Sequence, residues 1–184
     1  MFRKVIFVGA LTLLGASATA ATSLYSDLYG KACRRVDTDQ GSGASTRLCK
    51  GVGGYSVLVH EANAQASIDI VTPSGAVYPL EYWEVVTPGL TSVGRKAEWR
   101  VENRDGKVVP TALLVRLDTA NEETSGPRIK PHGIITASRI ARDGACVVYQ
   151  ADGAVKSADT AARGAVGERM RKCLGVYSAA AAAQ

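Results

Sequence analysis

Lys96-Ala97-Glu98-Trp99-Arg100-Val101-Glu102 decides how this chain is read. On an extended backbone Ala97, Trp99 and Val101 fall on one side, and Lys96, Glu98, Arg100 and Glu102 fall on the other. Alternation with period two marks an antiparallel strand with one buried and one wet face. Asn103-Arg104-Asp105-Gly106 then forms a turn, its Asp-Gly step tolerating positive φ, and Val108 to Leu117 returns as a more aliphatic partner. Pro110 removes one ladder donor, so it belongs at an edge, a bulge or the start of that strand.

The same pattern extends outward. Tyr55, Val57 and Val59 share one face, and Ala66, Ile68 and Ile70 alternate with Ser67 and Asp69. Cys33 to Val36 and Thr46 to Val52 read as short strands around the polar Asp37–Ser45 turn, preceded by a helical or irregular lead-in over 22–30. On the other side, 132–141 and 145–151 predict a second hairpin across Arg142-Asp143-Gly144. After Ser157 the period changes: Ala158, Ala162, Val166, Met170 and Cys173 lie on one helical face. Ser157 or Asp159 can cap this helix, and Arg169, Arg171 and Lys172 suit its C-terminus. Gly164 and Gly167 each weaken it by about 1 kcal/mol relative to alanine. The expectation is an α+β domain: an antiparallel meander of about six to eight strands with one C-terminal helix packed on it.

The ends point to export. Arg3 and Lys4 precede an apolar run from Val5 to Gly15, and Ala18-Thr19-Ala20 fits the small-residue rule for a signal peptidase cut before Ala21. That run is well short of the roughly twenty residues needed to span a bilayer, so the expected product is periplasmic or secreted and not membrane-embedded. The predicted organisation is therefore a signal peptide over 1–20, one globular domain over 21–177 and an unstructured alanine-rich tail over 178–184. The formal charge is +5, and loss of Arg3 and Lys4 lowers it to +3. So small an excess makes no convincing phosphate-binding stripe, and no nucleic-acid partner is expected.

Cys33, Cys49, Cys146 and Cys173 all lie in the exported part. Four cysteines in an oxidising compartment permit three disulfide pairings. Cys33–Cys49 and Cys146–Cys173 are favoured, because each brackets a local segment. Neither His60 nor His132 stands at zinc-site spacing from a cysteine, so neither metal nor cofactor is expected.

No catalytic signature is present. Gly51-Val52-Gly53-Gly54 leads into a strand rather than a helix and is read as a turn or bulge instead of a phosphate loop. Candidate ligand-binding residues are Tyr82 and Trp83, which a carbohydrate ring can stack on, the flanking carboxylates Glu81 and Glu84, and His60 and His132. The competing reading of Glu81–Glu84 is a surface turn with Trp83 and Val85 dipping into the core. The clusters Arg95-Lys96 and Arg169 to Lys172 are most simply solvated faces, with attraction of anionic envelope polymers or an acidic partner as the other reading.

Cys49-x-Gly51-x-Gly53-Gly54-Tyr55-x-Val57, the Glu98-Trp99-Arg100 strand, and Ala145-Cys146 with Val148-Tyr149 resemble an uncharacterised family of exported Gram-negative bacterial proteins with paired cysteines. The resemblance covers most of 24–174 and departs from the family's pattern in the Gly-containing stretch after Ser157. It brings no activity and no functional residue with it. In overall design the chain is also similar to periplasmic lysozyme inhibitors. Three functions follow as expectations: an exported binding or inhibitory module for an envelope protein or polymer, an envelope-directed hydrolase acting on wall or sugar polymers, or a structural or stress-related envelope protein. The oligomeric state is not legible in the chain.

Overall fold

The computed structural model describes residues 21–39, 41–120, 132–175 and 178–179. The predicted signal peptide, most of the 119–131 loop and the end of the alanine tail lie outside them. The strands are β1 (Thr22–Asp27), β2 (Cys33–Thr38), β3 (Ser45–Lys50), β4 (Ser56–Ala62), β5 (Gln65–Val71), β6 (Val77–Pro79), β7 (Leu90–Arg104), β8 (Lys107–Ala120), β9 (His132–Ile140), β10 (Gly144–Asp152) and β11 (Ser178–Ala179); the helices are α1 (Tyr82–Val85) and α2 (Ala158–Gly167). All pairings are antiparallel. They form a six-stranded sheet in the order β1, β7, β8, β9, β10, β11 and a five-stranded sheet from β2 through β6 in chain order.

The alternation of β7 explains the layering. Ala97, Trp99 and Val101 are buried and pack with Leu113, Val115 and Leu117 of β8 against Val57, Val59, Ile68 and Ile70 of the other sheet. The main core therefore lies between the sheets. The opposite face of β7 and β8 is wet only in part, where the sequence led us to expect solvent along its length. The C-terminal helix covers its middle, with Ala158 and Ala162 packed on Ala112, Leu114, Ile135 and Ala137, while Lys96 and Arg104 stay exposed. Small residues on both sides allow the close approach, and Glu98 is only 7% exposed as a result.

The hairpin turn has Asp105 at φ 53 and Gly106 at φ 76, the positive values expected of the Asp-Gly step. Pro110 sits beside a register shift that leaves Thr111 unpaired between Val101↔Pro110 and Arg100↔Ala112, a bulge that absorbs its missing donor. Gly51 leaves room for the core tryptophan. A Cβ there would lie 2.5 Å from Trp99 Cζ2 and 2.8 Å from the Tyr55 carbonyl oxygen. Trp99 also donates its indole N–H to Ser26 Oγ at 2.9 Å, so its one polar atom is paired.

Both disulfides form as favoured, Cys33–Cys49 and Cys146–Cys173, and no described cysteine is free. Cys33 and Cys49 face each other directly in the β2–β3 ladder. Each closed loop stabilises by about 3 kcal/mol on the chain-entropy account. Two such bonds fit an oxidising environment.

Three segments depart from the expectation. The lead-in over 22–30 is mostly strand: β1 pairs along β7 from Thr22↔Val101 to Asp27↔Lys96. Its residues carry no strong alternation, and pairing with a long central strand decides their state. The C-terminal helix stops at Gly167 instead of continuing to Cys173, and Glu168 is extended. Met170 is consequently 92% exposed, and the cations 169–172 lie past the helix end. Neither Ser157 nor Asp159 makes a side-chain cap; Asp159 instead binds Arg116 at 2.5 Å. Of the tail, Ser178–Ala179 add a two-residue strand to β10, because Cys173 and the Leu174 N–H bond to the Val147 carbonyl at 2.8 Å hold the chain beside that strand.

Gly51→Ala should destabilise the protein by about 1–3 kcal/mol through overpacking, and Trp99→Ala by about 3–5 kcal/mol. In chemical denaturation the double variant should lose less than the sum, since the smaller side chain at 99 removes the clash. Strict additivity would show that Gly51 is not there to admit Trp99.

Candidate functional site

The sequence-selected residues separate in space. Leaving β6, the chain hydrogen-bonds Leu80 N to the Ile68 carbonyl at 3.0 Å and turns through Glu81 at φ 49 into α1. The Tyr82 N–H donates to Ser67 Oγ at 2.9 Å, and its side chain enters the core at 1% exposure. There burial pushes the phenol up to about 12, although the Thr136 and Ser138 hydroxyls act in the opposite direction. Tyr82 is thus a core residue, out of a ligand's reach. Glu84 is exposed, and Glu81 is half-buried at the start of α1. His132 opens β9 opposite Thr119, in the sheet that does not contain His60.

Trp83 and His60 do come together. They line a cleft of about 210 Å³ with Thr46, Asp37 and Asp39. Thr46, His60 and Ser67 form one row across β3, β4 and β5, and Asp69 is two residues along from Ser67 on the same face. His60 Nε2 lies 2.8 Å from Asp69 Oδ2 and Nδ1 lies 3.0 Å from Thr46 Oγ1. Both ring nitrogens are thereby engaged, and a proton on Nε2 with Nδ1 accepting from the Thr46 hydroxyl satisfies the whole network. The Ser42 hydroxyl and the backbone N–H groups of Gly41 and Ser42 hold Asp39 below the usual carboxylate range, so it stays ionised. An aromatic wall beside acceptor groups suits a ligand that presents hydroxyl or ammonium donors.

Hydroxyl, imidazole and carboxylate in line also form the relay of nucleophilic catalysis. Such catalysis further needs donors aimed at a developing oxyanion. Here β3 and β4 are paired on both sides. The neighbouring turn spends its own N–H groups, Gly41 on Asp39 Oδ1, Gly43 on the Asp39 carbonyl and Ala44 on Ser42 Oγ. Among the described residues no three His, Cys, Asp or Glu side chains are grouped to hold a metal ion.

A second polar site lies on the outer face of the six-stranded sheet, where alternation alone suggested only solvated charge. Glu98 accepts Arg163 Nε at 2.7 Å and Nη2 at 2.8 Å, and the Ser23 hydroxyl at 2.6 Å. Burial pushes its carboxyl up, but the Arg163 and Ser23 hydrogen bonds and the charges of Arg163 and Arg100 outweigh it and leave the pKa below the ordinary value. This bridge joins α2 to β7 and to the edge strand β1. Its signal in the sequence was faint: Arg163 sits one position past Ala162, on a helix of whose predicted apolar face Ala158 and Ala162 are buried.

Compared with known proteins, the chain matches no family model, no curated protein and no solved structure. No described helix is long and apolar enough to cross a membrane.

The Glu98–Arg163 bridge should appear as a pH dependence of stability. A carboxyl held below its ordinary value stabilises the fold at neutral pH and loses that contribution as pH falls below about 4.5, the ordinary glutamate value, toward the folded one. Glu98→Gln should cost about 1–3 kcal/mol at pH 7 and flatten the acid limb of the stability profile in equilibrium unfolding. A variant with the wild-type acid limb would contradict this role.

Proposed function

We propose that the chain is an exported binding module of the bacterial envelope, and that the Trp83–His60 cleft recognises a sugar unit of an envelope polymer or glycan-bearing partner. The observation that carries this reading is the cleft's composition, with Trp83 as one wall, the side chains of Asp37 and Asp39 as acceptors, and His60 locked by Thr46 and Asp69. Aromatic faces stack on the C–H face of a pyranose while carboxylates take its hydroxyl groups, with the locked His60 ring as part of the wall. The export signal read in residues 1–20 and the two disulfides support the periplasmic or secreted address. The resemblance to exported Gram-negative proteins points the same way.

A second reading, an envelope-directed hydrolase, draws support from the Thr46–His60–Asp69 line alone. The two make different demands on the same residues. On isolated cell-wall glycans, Trp83→Ala should abolish retention, at least tenfold in affinity, while His60→Ala weakens it only a few-fold. Release of soluble fragments by wild type that stops in both Thr46→Ala and His60→Ala would replace binding by hydrolysis. If neither retention nor release depends on Trp83, the cleft is not the site.

A further inference from the structure

We propose that the groove between the outer face of the six-stranded sheet and the C-terminal end of α2 is a binding site for a phosphate-bearing ligand. It lies on the far side of the molecule from the Trp83 cleft and does not depend on that assignment. The groove measures about 400 Å³ and is walled by Arg100, Arg104, Arg139, Arg163 and Arg169, with Glu102 the one carboxylate in its lining. These arginines come from β7, β9, α2 and the segment after α2.

Register brings the inner pair together. Ser23, Arg100, Ala112 and Arg139 form one row across β1, β7, β8 and β9. The small Ala112 separates the two arginines and opens the floor between them. Adjacent strands are about 4.8 Å apart, so the two backbones stand roughly 10 Å from each other, and the long side chains can close on one anion.

Neutral acceptors orient both guanidinium groups. Arg139 donates to the carbonyls of Arg169 at 3.1 Å and Arg171 at 3.0 Å. Arg100 donates to Ser23 Oγ at 2.5 Å and the Ala21 carbonyl at 2.6 Å. Its carboxylate neighbour is Glu98 at 4.0 Å, which is already engaged by Arg163 and Ser23. Arg104 is bound to Glu102. The charges of Arg139 and Arg169 have no carboxylate partner among the described residues. Two oriented cations, Arg100 and Arg139, with Arg169 beside them, repel each other until an anion enters, and planar guanidinium forks match the tetrahedral oxygens of phosphate. The volume admits a small molecule or a headgroup. Ala21 lines the same groove, so cleavage at the position marked in the sequence would add an ammonium group to its rim.

The phosphate can belong to a soluble small molecule or to a phospholipid headgroup, and two arms separate these sources. Calorimetric titration of the secreted, processed protein with inorganic pyrophosphate should show saturable binding that weakens as salt rises. Flotation with phosphatidylglycerol vesicles, against phosphatidylcholine vesicles, tests the lipid source. Arg139→Gln and the surface variant Arg169→Glu should each weaken the positive arm at least tenfold. Arg34→Glu, an exposed charge change in the other sheet, should leave it unchanged. Binding in either arm with this pattern supports the site. No binding in both arms, or equal weakening by Arg34→Glu, overturns it. Arg169→Glu keeps the test valid if Arg139→Gln fails to fold, because Arg169 contributes only its carbonyl to the packing described.

Discussion

The pleat of β7 is the constraint on which the rest of the molecule depends. One strand sends Trp99 into the core between the sheets and, one residue to either side, sends Glu98 and Arg100 onto the face under α2. A one-residue slip would exchange these sets, placing two charges in an apolar interior and an indole against a helix of small residues. The Gly51 approach to the indole ring, the bulge at Thr111 and the positive-φ turn at Asp105-Gly106 all oppose such a slip. Core packing and the outer polar network are thus specified by the same register.

The second disulfide extends that specification to the C-terminal segment. Cys146 lies opposite Arg139 in the β9–β10 ladder and so belongs to the outer-face row that includes Arg100 and Ala112. By joining it to Cys173, the chain after α2 is held where the carbonyls of Arg169 and Arg171 meet the Arg139 guanidinium. The bond acts less on the helix, which ends at Gly167, than on the loop behind it. That loop supplies one wall of the arginine groove.

Much of the fold was legible because two periodicities were clean. The alternating Ala97, Trp99 and Val101, and Ala66, Ile68 and Ile70, are buried as read, and the spacing of the four cysteines favoured the bonds that form. What misled was any judgement about which polar residues face water. Period two shows that Glu98 and Trp99 point oppositely, but not that a helix some sixty residues later covers Glu98. Likewise Tyr82 and Trp83 are adjacent and look equivalent in the sequence. The turn at Glu81 and the Ser67 contact send one into the core and the other to a cleft. The division of the strands into two sheets was hidden because chain-neighbouring strands pair within each sheet, whereas β1 joins β7 across a long stretch of sequence.

Charge shows the same limit from the other direction. A net excess of three argues against an anion-binding surface only if the charges are spread evenly. Arg100, Arg104, Arg139, Arg163 and Arg169 belong to no single run in the sequence, yet strand register and one helix bring them to one concavity. The acidic residues that balance them in the total lie partly elsewhere, Asp37 and Asp39 on the rim of the Trp83 cleft. The two concavities therefore differ in lining, carboxylates in the Trp83 cleft and mostly guanidinium groups in the groove under α2. Long-range attraction of a charged molecule depends on such a local field and not on the total charge.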